Sequence, residues 1–159
     1  MIEAEIDVDG LLEAFERVGQ ELDREMTSSM TAALDVVAAR ARTDATFRDR
    51  SGALRASIQR DPGSPSGSFL SGNLAGTVSA GEAYGAPLEF GSRPHIIRPR
   101  HRRTLRIPVE GGFLFRGAVR HPGTREYAFL ANALRDSGPQ IEEIFSDGID
   151  EAFARAGLV

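Results

Sequence analysis

Hydrophobic residues recur every three or four positions along the first third of the chain. This spacing places them on one face of an α-helix, so it predicts one long helix that ends near Thr46. Such a helix is about 50 Å long, and its apolar stripe has to be covered by a sheet, by other helices or by a neighbouring subunit. The stripe consists of Leu11, Phe15, Val18, Leu22, Met26, Met30, Ala33, Val37 and Ala41.

Segments in which apolar and polar residues alternate predict short strands. One such segment precedes the helix at residues 2–8, and another at residues 53–60 has a plausible partner at residues 74–80. Residues 104–109 and 113–119 flank Glu110-Gly111-Gly112, a sequence that favours a hairpin turn. Two amphipathic segments near the C-terminus, residues 125–135 and 141–156, predict helices separated at Gly138-Pro139.

The order of these elements predicts an α+β fold. The long N-terminal helix is expected to pack on an antiparallel sheet of about four strands, with further helices at the C-terminus. A chain of 159 residues fits one domain, spanning residues 1–159. Within it, residues 61–73 are rich in Gly, Ser and Pro, and residues 92–104 are rich in Arg and Pro. We expect both segments to be flexible loops or arms.

The composition excludes several kinds of chemistry. The chain has no cysteine, which excludes disulfides and thiolate ligands. It has no apolar run long enough to span a bilayer and no signal-peptide pattern, so we expect it to fold in the cytoplasm. All 19 basic residues are arginine. Two explanations stay open for this bias: arginine's suitability for protein interfaces, or the codon usage of a GC-rich genome.

Candidate catalytic and metal-binding patterns are also missing from the sequence. Two of the three histidines, His95 and His101, lie among arginines that would repel a metal cation, and no HExxH pair occurs. The serines do not follow the GxSxG pattern of a nucleophile elbow. We therefore expect no enzymatic activity, no metal and no cofactor. His121 precedes Pro122-Gly123, where it is expected to form a hydrogen bond that shapes a turn.

The strongest electrostatic feature is a basic stretch between residues 93 and 106. Pro94 and Pro99 keep it extended rather than helical. Three interpretations stay open: a loop that contacts DNA phosphates, an arm that docks on an acidic protein partner, or a solvated connection between strands. The formal net charge of −4 argues against a general nucleic-acid coat. The arginines are Arg93, Arg98, Arg100, Arg102, Arg103 and Arg106.

Glu89 is a further candidate, because it lies between the apolar residues Leu88 and Phe90. It can pair with an arginine, within the subunit or across an interface, or lie exposed at the end of a strand.

Several motifs, taken in their order along the chain, resemble the small tail-completion, or head–tail joining, proteins of long-tailed bacteriophages. SGALRASI follows the long helix at residues 51–58. YGAPLEFGS at residues 84–92 is similar to the family's Tyr-Ala-x-x-x-Glu-x-Gly-Thr pattern, with Gly85 and Ser92 as departures. HPGT at residues 121–124 precedes FLANAL, with Tyr127-Ala128 where proline is frequent. The resemblance covers about residues 10–155, and its turn and fold residues are Tyr84, Gly91, His121, Pro122 and Gly123.

The resemblance implies a structural protein of the virion neck, made in the host cytoplasm, that completes the tail and joins it to the DNA-filled head. Its implied partners are other copies of the chain in a ring, commonly a hexamer, together with the head-side connector or stopper and the tail terminator or tail tube protein. No membrane partner is implied. The six arginines would contact a partner or DNA in the channel, and Glu89 would be an interface or fold-locking carboxylate.

Two alternatives stay open. A tail terminator, which caps the tail tube and stops its polymerisation, is also a small α+β ring protein. A DNA-binding regulatory protein would use the Arg93–Arg106 stretch and would bind duplex DNA with a steep salt dependence, although the chain has no helix-turn-helix pattern.

Overall fold

The computed structural model describes residues 8–157. Helix α1 (Val8–Thr43) is one continuous helix of 36 residues, which confirms the prediction of a long helix. Its polar residues are accommodated because Thr27 Oγ1 donates to the carbonyl of Asp23 and Thr31 Oγ1 donates to that of Thr27. The strand predicted at residues 2–8 lies outside the described residues, except for Val8, which begins α1.

Within the described residues, ten further elements follow α1, and their order confirms the α+β class with C-terminal helices. They are α2 (Ala53–Ser57), β1 (Ile58–Arg60), β2 (Val78–Ala80), α3 (Gly85–Phe90), β3 (His95–Ile97), β4 (Leu105–Val109), β5 (Gly112–Arg116), β6 (Val119–His121), α4 (Phe129–Asp136) and α5 (Gly138–Arg155).

The strands form three separate antiparallel pairs in place of one sheet of about four strands. β1 pairs with β2, β3 with β6, and β4 with β5. Strands of three to five residues offer few cross-strand pairs. A larger sheet is also not needed to cover α1, because helices α5 and α4 are its main partners and β1 makes a smaller contact.

The close packing of α5 on α1 depends on small residues. Gly148 faces α1, where an added Cβ would lie 2.2 Å from Ser29 Oγ and 3.0 Å from Met26 Cε. Ser29 Oγ donates to the carbonyl of Ile144 across the same contact (3.2 Å). The small side chains therefore let the two helices approach each other, and a larger residue at position 148 would separate them.

The main hydrophobic core surrounds the C-terminal half of α1. The rings of Phe47 and Phe129 pack with their centroids 4.9 Å apart. Arg55 fixes the segment after α1, since its guanidinium lies over the Phe47 ring and donates to the carbonyls of Arg42, Asp44 and Phe47. The buried members of this core are Val37, Ala38, Ala41, Phe47, Leu54, Ile58, Phe129 and Ala133.

Some element boundaries differ from the predictions. Residues 53–57 are helical, because Asp49 accepts hydrogen bonds from the backbone N–H groups of Gly52 (3.0 Å) and Arg55 (2.9 Å) and so stabilises a helical turn. Only residues 78–80 of the predicted 74–80 strand pair with β1. The C-terminal helices separate at Ser137, since Pro139 lies in the first turn of α5, where proline is tolerated.

The Gly/Ser/Pro-rich segment at residues 61–73 lies against α1. The carboxylate of Asp23 accepts hydrogen bonds from Ser68 Oγ (2.7 Å) and from the N–H of Leu70 (3.3 Å). The bond from Ser68, more than that from Leu70, lowers the pKa of Asp23 below 3.8. The base of the segment is closed by a bridge between Ser66 and Ala75.

Candidate docking surface

Helix α3 places Glu89 at the start of α4. The Glu89 side chain is 7% exposed, and its carboxylate accepts hydrogen bonds from the N–H groups of Leu130 (2.9 Å) and Ala131 (3.0 Å). The preceding residue, Ala128, has φ of 50° and no capping side chain of its own, and its N–H donates to the Glu89 carbonyl (3.1 Å). Glu89 therefore supplies the N-terminal cap of α4 from a distant part of the chain.

Gly91 and Ser92 join the end of α3 to the HPGT segment. Ser92 and Thr124 exchange backbone hydrogen bonds of 2.8 and 3.1 Å, and Ser92 Oγ also accepts from the Thr124 N–H (3.0 Å). Gly91 has φ of 73°, and a Cβ there would lie 3.1 Å from Thr124 O. Gly123 has φ of 93° and lies so close to Ser92 that a Cβ would come within 2.4 Å of its carbonyl oxygen. Both positions therefore favour glycine.

His121 has two local contacts at the end of β6. Its Nδ1 accepts a hydrogen bond from the N–H of Gly123 (3.1 Å), across the exposed Pro122. Its ring also stacks on His95, its cross-strand neighbour in β3, with ring centroids 5.0 Å apart. The motifs YGAPLEFGS and HPGT, which are distant in the sequence, are thus adjacent in the structure.

Tyr84 lies at the other end of α3, as the residue before Gly85. Its ring is 40% exposed, and its hydroxyl is 3.4 Å from Ser51 Oγ. Together with Asp49, Pro87 and Thr124, these residues line a shallow cavity. Tyr84 therefore links α3 to the turn that precedes α2.

The six arginines of the basic stretch are all exposed. Arg93 precedes β3, Arg106 lies in β4, and the other four occupy the connection between these strands. Within the part of the chain that the structure describes, the ion pairs involve other arginines: Arg24, Arg60, Arg135 and Arg155. The guanidinium of Arg106 lies 3.5 Å from the centroid of the Phe113 ring. Among residues 8–157, no acidic side chain forms an ion pair with these six arginines.

The β4–β5 hairpin adds an apolar component that the sequence reasoning did not assign to the site. Phe113, Leu114 and Phe115 are 51%, 38% and 56% exposed, and the extensive contacts of β4 and β5 are with each other. No sequence signal indicated this exposure, because three consecutive apolar residues in a predicted strand normally indicate burial. We call residues 93–116 the basic arm; they include seven arginines and one glutamate.

A second exposed apolar surface lies at the N-terminal end of α1. Leu11, Leu12 and Phe15 are 52%, 56% and 65% exposed, although they belong to or adjoin the stripe that the sequence predicts to be covered. At the C-terminal end of α5, Arg155 pairs with Glu25 (3.2 Å), whereas Leu11, Leu12 and Phe15 lie at least two helical turns before Glu25. We call residues 8–21 of α1 the helix overhang.

No helix between residues 8 and 157 combines the length and hydropathy that crossing a bilayer requires. The same residues contain no cluster of three or more His, Asp or Glu side chains that could hold a metal ion.

A family model described as "HK97-gp10_like: Bacteriophage HK97-gp10, putative tail-component" matches residues 9–91, which is more than half of the chain. The matched segment runs from the first turn of α1 to Gly91 and includes Tyr84 and Glu89, whereas the basic arm and HPGT follow it. Neither a curated protein nor a solved structure matches the chain.

Proposed function

Since this chain belongs to the HK97-gp10-like family of bacteriophage tail components, we propose that it is a neck protein of the virion, which completes the tail and joins it to the DNA-filled head. Its work is docking, without enzymatic activity. It acts as a hexameric ring whose two axial faces meet the head-side connector or stopper and the tail terminator or tail tube protein. The observation that carries the proposal is the family match over residues 9–91.

Two surfaces with exposed apolar side chains support a role in assembly. The basic arm and the helix overhang both expose large apolar side chains, and exposed apolar patches on a small protein commonly mark interaction sites. A subunit of a closed ring needs such surfaces, because it contacts two neighbours as well as the structures above and below it.

The site residues divide into two roles in this proposal. Arg93, Arg98, Arg100, Arg102, Arg103 and Arg106 contact a protein partner or the DNA that passes through the channel. Glu89, Tyr84, Gly91 and the His121-Pro122-Gly123 turn hold the base of the basic arm against α4. The hydrogen bonds of Glu89 to Leu130 and Ala131 support a fold-locking role for that carboxylate.

The experiment compares two triple-alanine variants in the joining of purified heads to purified tails. Arg100, Arg102 and Arg103 are replaced in the test variant, and three other exposed arginines, Arg40, Arg48 and Arg50, are replaced in the control. We expect the test variant to keep the melting temperature of the wild type and to lose joining, whereas the control joins normally. Normal joining by the test variant would contradict the docking role of the arginines, and loss of folded protein would show that the arm is structural.

A further inference from the structure

We infer that neighbouring copies in the ring meet head to tail, with the basic arm of one copy docked on the helix overhang of the next. The inference rests on the proposed ring and names the two surfaces that close it. It follows from the position, the apolar character and the opposite charges of these surfaces.

Most residues of the helix overhang are exposed. Its 14 residues extend about 20 Å beyond Glu25 and Arg155, where α5 ends. The segment at residues 66–72 contacts α1 at Gly19 and Asp23, and its Leu70 lines an open cavity together with Leu12 and Phe15. Phe15, at 65% exposed, is therefore open to a partner. A helix with an apolar face is stabilised when that face is covered.

The charge of the overhang is negative. It contains Asp9, Glu13, Glu16 and Glu21 against a single arginine, Arg17. Glu21 forms an ion pair with Arg24 (3.8 Å), which leaves Asp9, Glu13 and Glu16 as the exposed carboxylates of the overhang. A partner for this surface has to combine apolar side chains with positive charge.

The basic arm has that combination. It carries seven arginines and one glutamate, and Phe113, Leu114 and Phe115 are exposed on the same hairpin. Contacts to duplex DNA phosphates need the arginines but give no role to three apolar side chains in succession. An acidic surface with exposed leucine and phenylalanine uses both parts of the arm.

The anchor of the basic arm and the start of the helix overhang lie near opposite ends of α1, so we infer that the two surfaces meet between chains. The basic arm is anchored at the Ser92–Thr124 bridge, close to Phe129, which packs in the core beside Val37 and Ala41. The overhang begins about 45 Å away along α1. A contact between two different surfaces of identical chains is heterologous, and such contacts close into rings when the rotation permits.

The first test reverses the charge on each surface separately. One variant carries Arg100→Glu, Arg102→Glu and Arg103→Glu, and the other carries Asp9→Arg, Glu13→Arg and Glu16→Arg. We expect sedimentation velocity to show self-association of the wild type and monomers for each variant alone. A mixture of the two variants, and a single chain carrying all six changes, should associate again, because opposite charges then face each other.

The second test does not depend on charge and uses the absence of cysteine from the chain. Leu12→Cys and Leu114→Cys are introduced singly and together, and a bismaleimide is applied to concentrated protein and to assembled tails. The double variant should give a ladder of covalent multimers, whereas each single variant should stay monomeric on a denaturing gel. A dimer from either single variant, or no ladder in either preparation, would overturn the inference.

Two outcomes separate this inference from the proposed function. A ladder together with normal head–tail joining in a phage that lacks the gene would leave the contact standing and refute the neck role. Failed joining without any ladder would leave the neck role standing and refute the contact. Duplex binding by the wild type, with self-association unchanged by the arginine reversal, would assign the arm to DNA and overturn the inference.

Discussion

Replacement of Glu89 by alanine tests whether this carboxylate locks the fold. Glu89 is nearly buried in α3 and accepts two hydrogen bonds, of 2.9 and 3.0 Å, from the first turn of α4. Alanine removes both acceptor oxygens, so the N–H groups of Leu130 and Ala131 lose their hydrogen bonds to residue 89. It also removes the negative end group that favours the N-terminus of the helix.

The expected loss can be worked out from these contacts. Removal of a capping side chain costs about 0.5–2 kcal/mol, and each hydrogen bond to a charged group contributes about 1.5–3 kcal/mol. Ala131 is exposed, so water replaces part of its lost bond. We therefore expect the free energy of unfolding to fall by about 2–4 kcal/mol. For a domain of this size, that loss lowers the melting temperature by about 5–15 °C.

The assay is urea unfolding followed by circular dichroism, with Glu143→Ala as the control. Glu143 is an exposed glutamate on α5, and its replacement should change the free energy of unfolding by about 0.5 kcal/mol or less. Glu89→Gln keeps one acceptor and should fall between the wild type and Glu89→Ala. If Glu89→Ala is no less stable than the Glu143 control, the capping role of Glu89 is wrong.

Two further predictions concern the packing and the pH dependence of the fold. Gly148→Val should lower the free energy of unfolding by about 1–3 kcal/mol, because the valine side chain would collide with Ser29 and Met26. The control is Gly138→Val, since a Cβ at position 138 meets nothing within 4 Å. Equal urea midpoints for the two variants would contradict the close packing of α5 on α1. The hydrogen bond from the Arg55 N–H contributes most to holding the pKa of Asp49 below 3.8. The Asp49 carboxylate therefore stabilises the fold above that pH, and this stabilisation is lost as the pH falls through the folded-state pKa. Asp49→Asn should therefore be less stable than the wild type at neutral pH, and the difference in urea midpoint should shrink below pH 3.8; a constant difference would contradict this assignment.

The sequence predicted those elements whose signal is long and periodic. The stripe from Leu11 to Ala41 spans many helical turns, so α1 was predicted nearly to its last residue. The alternation of apolar and polar positions over a few residues predicted strands less well. At residues 53–57 the hydrogen bonds of Asp49 to the backbone stabilise a helical turn and override it. The sequence also could not predict that α5 packs on α1, because the contact of Gly148 with Ser29 depends on how the two helices are oriented.

In the candidate site, too, local sequence features could be predicted and contacts between distant segments could not. The arginines of the basic stretch were visible as a cluster, whereas the adjacency of Gly91-Ser92 and Gly123-Thr124 depends on a bridge between distant segments. The exposure of Phe113 and Phe115 was also hidden, because an apolar strand pattern normally indicates burial. It became visible only when β4 and β5 were found to pair with each other apart from a larger sheet.

The central claim, that this protein completes the tail and joins it to the head, is tested most directly by electron microscopy of particles from a phage that lacks the gene. We expect DNA-filled heads beside free tails of normal length, with joining restored when the purified protein is added. Tails of uncontrolled length would identify a tail terminator instead. Intact infectious particles in the absence of the gene would contradict the neck role altogether.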